Sequence, residues 1–117
     1  MANEPAPIFV HWERVTGEIL DRTMKLPKAQ RFTFAQRIEN LALDILELLA
    51  AAQWAGKSKR AKLRDADERL LRLRVLLRLC HSQRYLDPRA YEHLARALDE
   101  TGRMLGAWLR QQDAGPS

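Results

Sequence analysis

The sequence is short of cysteine. Cys80 is alone among 117 residues, so no disulfide can form within the chain. That count fits a reducing compartment such as the cytoplasm. Long apolar runs are also missing: none approaches the roughly 20 residues needed to cross a bilayer. The opening Met1-Ala-Asn-Glu-Pro-Ala-Pro7 lacks the basic, apolar, small-residue order of a secretory signal. No stretch alternates apolar and polar residues, so no strand is expected. Glycine and proline number five each, and most lie between or beyond the periodic segments.

Catalytic and metal-binding sets are equally sparse. Gly56-Lys57-Ser58 has the ending of a phosphate-binding loop, but the glycine required five residues earlier is Ala51, and the preceding residues are helical in pattern. His11, His81 and His93 fall on three segments. His81 and His93 could meet around the third link, yet two histidines without a cysteine or a carboxylate pair make a poor zinc set. No Glu-x-x-His pair serves a di-iron site in a bundle core. Cys80 continues a leucine seam and reads as a small buried hydrophobe. No enzyme mechanism, metal or cofactor is therefore expected.

What the chain does have is helical periodicity. Ile8, Trp12, Val15, Ile19 and Leu26 recur at helical steps over residues 8 to about 25, and Leu26-Pro27 ends that segment. A second helix is predicted from about Thr33 to Trp54, with Phe34, Ile38, Leu41, Ile45, Leu48, Leu49 and Ala52 as its stripe. Thr33 is its expected N-cap, and Gly56 suits the left-handed position past its end. The third helix, from about Ser58 to His81, carries Leu63, Ala66, Leu70, Leu73, Leu77 and Cys80, with Leu71, Leu76 and Leu79 widening the apolar arc. After a link at 84–86, Asp87-Pro88 opens a fourth helix bearing Tyr91, Leu94, Leu98, Leu105, Trp108 and Leu109. Gly102 and Gly106 are expected to allow close packing near Trp108.

Four such helices with short links predict an all-α, up-down-up-down four-helix bundle over residues 8–112. The flanks, 1–7 and 113–117, read as a disordered N-terminus and a flexible tail. The surplus apolar surface of the third and fourth helices either enlarges the core or meets another subunit.

Charge is distributed unevenly. The chain carries +5 overall, with a pI near 9.9. Residues 57–86 hold ten cations against three carboxylates, a net of +7, while 1–27, 28–56 and 87–117 carry −1, 0 and −1. The ten are Lys57, Lys59, Arg60, Lys62, Arg64, Arg69, Arg72, Arg74, Arg78 and Arg84. Seven are arginines, which pair phosphate bidentately. Arg74 and Arg78 stand one turn apart beside the leucine seam, with Arg60 on the same line. Such a helix can also be a plain solvated face, and Arg74 and Arg78 can pair with Glu39 or Asp44 of a neighbouring helix.

Several of these features coincide in a known family. Ala55-Gly56-Lys57-Ser58, Lys62-Leu63, Ala66-Asp67, Leu73-Arg74-x-x-Leu77-Arg78 and Gly102-Arg103-x-Leu105-Gly106-x-Trp108 resemble the four-helix-bundle family that includes Avd, the accessory variability determinant of diversity-generating retroelements. Proteins encoded in intervening sequences of bacterial large-subunit ribosomal RNA genes are relatives. The resemblance covers the second half of the chain, and the first half agrees in helix order and in the Leu26-Pro27-Lys28 break. It implies a ring-like homo-oligomer, a homopentamer, that is non-enzymatic and basic. It also implies association with a reverse transcriptase and its template RNA, with DNA left open, in support of mutagenic cDNA synthesis. By match, Arg74 and Arg78 are the family's paired arginines and the first candidates for partner contact. The extra Lys59 and Arg60 depart from the pattern and would alter nucleic-acid contacts. The alternative is a structural bundle of the intervening-sequence type, without a polymerase partner. A reverse-transcriptase gene and a template/variable repeat beside this gene would favour the first reading; location inside a ribosomal RNA gene would favour the second.

Overall fold

The stripe expected on the third segment lies fully inside the molecule. Leu63, Ala66, Leu70, Leu73, Leu77 and Cys80 are all buried on a helix that spans Lys59–Ser82, here α3. The computed structural model describes residues 4–114. Three further helices surround the same core: α1 Pro7–Thr23, α2 Gln36–Trp54 and α4 Pro88–Ala114. No strand occurs among the described residues. Helix α1 packs on α2, α2 on α3, α3 on α4, and α4 back on α1. That closed order of sequential neighbours is the expected up-down-up-down bundle, a rod of 49 × 20 × 20 Å. The core is filled by leucine, isoleucine and alanine around Trp12, whose Nε1–H donates to the Ala42 carbonyl at 2.9 Å.

The ends of the rod follow from short-range chemistry. Gly56 takes φ +73° just past α2, the left-handed geometry that a residue without Cβ adopts freely. Asp87 accepts from the Ala90 N–H at 2.8 Å, and Pro88 occupies the first helical position, so α4 opens as expected. Helix α3 closes with two bonds, Arg84 N–H to His81 O at 3.0 Å and Tyr85 N–H to Cys80 O at 2.9 Å. These are the paired bonds of a Schellman end. Its left-handed residue is Arg84, at φ 65°, where glycine is usual.

One expectation fails locally, and two helix ends fall a residue or two from their expected places. Helix α1 stops at Thr23, two residues early. Thr33 does not cap α2. A 3-10 turn at Lys28–Gln30 leads into a π-helical turn at Arg31–Ala35, and the Gln36 N–H bonds back to Arg31 O. With preceding turns supplying acceptors, α2 leaves no orphan N–H for the Thr33 hydroxyl. Helix α3 begins at Lys59, because Ser58 sits in the left-handed region at φ 54°.

Of the expected N-terminal flank, residues 1–3 lie outside the described residues. Ala6 N–H donates to Gln53 Oε1 at 2.7 Å, and Gln53 Nε2 donates to Glu4 O at 2.5 Å, which ties the approach to α1 onto α2. Of the expected tail, residues 115–117 lie outside the described residues, and α4 runs to Ala114.

Candidate nucleic-acid interface

The ten cations of 57–84 separate into distinct environments. Along the sides of α3, three arginines are held within the chain. Arg69 reaches Asp44 of α2 at 3.8 Å, and Arg72 reaches Glu68 at 3.3 Å. Arg74 is held most closely: one nitrogen donates to Asp99 at 2.5 Å and another to the Leu98 carbonyl at 3.1 Å, both on α4. Its guanidinium occupies the space above Gly102, where an added Cβ would stand 2.8 Å from Nη2. Gly102 thus seats an arginine instead of easing the packing of Trp108. The partner of Arg74 is Asp99, not Glu39 or Asp44.

Of the other cations, only Arg60 pairs with a carboxylate among the described residues. Arg78 and Arg64 are exposed, and neither touches a carboxylate among the described residues. Lys57 is exposed too, and its carbonyl accepts from Lys62 Nζ at 3.0 Å. Lys59 lies 5.8 Å from the ring centre of Trp108, a cation–π distance that leaves its charge available. Arg60 reaches Asp113 at 2.5 Å, a hydrogen bond that raises its already high pKa and lowers that of the carboxyl. Lys57, Lys59, Arg60, Lys62 and Arg64 therefore gather near one end of the rod, where α3 begins and α4 finishes. Arg84 sits at the other end.

The outward face of α3 is not uniformly cationic. Leu71, Val75 and Leu79, one turn apart, are 60%, 58% and 43% exposed. Arg78 flanks this stripe on the α4 side and Arg72 on the α2 side. Between α2 and α3 the surface dips into a recess lined by Arg37, Asn40, Leu41, Leu71, Arg72 and Val75. The surplus leucines of α3 were legible in the sequence; their outward direction depends on which arc faces the core.

Of a second cationic group, the sequence reading named only Arg84. Arg22 approaches Asp87 at 4.0 Å, Gln30 Nε2 donates to the Tyr85 hydroxyl at 3.2 Å, and Phe34 meets Tyr85 edge-on at 5.8 Å. These contacts bring residues 21–31 beside residues 84–89. Together the two stretches carry Arg22, Lys25, Lys28, Arg31, Arg84 and Arg89 against Asp21 and Asp87. Summing charge by segment hid them, because the acids that cancel Lys28 and Arg31 lie further along α2.

The three histidines have structural partners. His81 stacks on Tyr91 with ring centres 4.4 Å apart, whereas His93 Nε2 contacts Glu18 at 2.9 Å, so the two histidines have separate roles. His11 Nε2 lies 2.9 Å from Thr101 Oγ1, linking α1 to α4. Burial pushes the Cys80 thiol up to about 11, so it stays protonated at neutral pH. Among the described residues no cluster of three or more His, Cys, Asp or Glu could hold a metal ion, and no helix is long and apolar enough to cross a membrane.

A family described as bAvd-like matches residues 8–112. No curated protein matches the sequence significantly.

Proposed function

The chain belongs to the bAvd-like family, and from that premise we propose that it is a non-enzymatic accessory protein of a diversity-generating retroelement, joining the reverse transcriptase to its template RNA. The observation that carries this reading is the set of cations on and beside α3 that no carboxylate among the described residues pairs with. Arg78, Lys57, Lys59, Lys62 and Arg84 remain available to an external anion, and so does Arg64, which acts on Asp113 only through its field. Phosphate contacts from such a set are sequence-tolerant, which suits a protein that grips a folded RNA by its backbone. Arg60, Arg69, Arg72 and Arg74 already have partners in the chain. They join the interface by sharing a carboxylate or by exchanging it, since exposed ion pairs contribute only about 0–1 kcal/mol.

The outward stripe of Leu71, Val75 and Leu79 supports self-association into the homopentameric ring that the family resemblance implies, because an apolar line on an exposed helix favours a protein neighbour. Two measurements test the proposal together. Tagged chain expressed in its source cells should retain a reverse transcriptase in a template-RNA-dependent complex, and sedimentation should give a pentamer mass. Failure to retain either the polymerase or the RNA would leave a structural bundle of the intervening-sequence type as the better account.

A further inference from the structure

The end of the rod opposite residues 57–64 has a feature that phosphate contact alone does not use. Phe32 is 76% exposed and Met24 81% exposed, on either side of the α1–α2 link. Beside them lies a recess of about 320 Å³, within the ligand-sized range of roughly 300–1,000 Å³ and lined in part by Pro27, Lys28, Arg31 and Gln36. Its one carboxylate, Glu39, is engaged by the Thr23 hydroxyl at 2.6 Å. The link is built by the π-helical turn at Arg31–Ala35. Such turns are rare and often occur at functional sites. Phe34, two positions on, turns inward against Tyr85 while Phe32 stays out.

We propose that this end is a binding site for single-stranded nucleic acid, in which an unpaired base stacks on Phe32 while Lys28, Arg31 and the nearby Lys25, Arg84 and Arg89 contact flanking phosphates. The inference rests on the nucleic-acid reading above and adds a second site with a different mode of recognition. An exposed aromatic ring among cations is the arrangement by which proteins hold unpaired strands, since every base offers a π-face and every nucleotide a phosphate. Four of the six cations at this end are arginines, which grip phosphate bidentately and stack on bases. An anionic lipid surface would also attract these charges. It is disfavoured because, among the described residues, Met24 and Phe32 are the only large exposed apolar side chains that accompany the cations, too little apolar area for stable insertion.

The test titrates the full chain with a labelled oligouridylate and with a blunt RNA duplex of equal length. Phe32→Ala should weaken oligouridylate binding by roughly 5- to 150-fold, the range for loss of one stacked base, and leave duplex binding unchanged. Phe32→Trp should retain or tighten single-strand binding. Lys28→Ala should lower the salt slope for the single strand by about 0.7. Equal single-strand affinity for Phe32→Ala and the unaltered chain would overturn the site. If Arg78→Ala weakens duplex binding at the same time, the α3 reading stands without it. If the unaltered chain binds neither oligonucleotide, both readings fall. Phosphatidylserine vesicles form a third arm: retention lost in Phe32→Ala with oligouridylate binding intact would reassign this end to a lipid surface and overturn the proposal.

Discussion

Gly102→Ala is a sharp probe of how α3 and α4 are joined. A methyl at this position would lie 2.8 Å from Nη2 of Arg74, closer than a Cβ and a nitrogen can approach. The obstructing atom is the far end of a flexible side chain, so the guanidinium moves and the helices stay. The change then has two opposing parts. Alanine in a helix interior is worth about 1 kcal/mol over glycine. Displacing Arg74 forfeits its pair with Asp99, whose side chains are 38% and 56% exposed, so about 0.5 kcal/mol after solvent screening. It also forfeits the bond to Leu98 O, about 1 kcal/mol at most. The sum is near zero, within about 1 kcal/mol. Removing the obstacle first changes the outcome: in an Arg74→Ala background Gly102→Ala should stabilise by the full amount, about 1 kcal/mol, or about 4 °C in Tm for a chain of this size. Thermal melts of the four proteins, followed by circular dichroism, measure this coupling directly. An identical gain in both backgrounds would refute the seating of Arg74 over Gly102.

Three further outcomes are expected. Arg84→Gly should raise stability by about 1 kcal/mol in a denaturant titration, because φ 65° strains a residue with a Cβ, while weakening RNA binding through the lost charge. Asp87 has a carboxyl pKa held below its ordinary value, chiefly by the Ala90 N–H. Its contribution is thus complete above the unfolded pKa, about 3.9, and disappears as pH falls through the lower folded value. Asp87→Ala should therefore destabilise the chain at neutral pH and flatten the acid limb of its stability curve below about pH 4, read by melts across pH. Cys80, 1% exposed with its thiol raised to about 11, should react with a thiol reagent only on unfolding; rapid labelling of the native chain would show that the α3 seam opens.

The sequence made the bundle legible because its signals are local and repeated. Six buried positions on α3 follow one spacing rule, and Asp87-Pro88 combines two start signals at one place. The α1–α2 link was misread for a physical reason. Thr33 has the chemistry of a cap, but its value depends on whether preceding turns already satisfy the first N–H groups, and here they do. The candidate site was legible as composition and only partly as geometry. A helix sequence shows that Arg74 borders the seam; it does not show that Asp99, 25 residues away, meets it across α4. The cations at the far end of the rod were hidden for the same reason, since loops distant in sequence share that end.

On the proposed function, free cations along α3 grip RNA phosphates. Binding of the template RNA should be measured across salt concentrations for the unaltered chain and for Arg78→Ala. Affinity should fall steeply with salt, and the slope should be smaller by about 1 for the variant with helix content unchanged. A flat salt dependence, or an unaltered slope in Arg78→Ala, would contradict it.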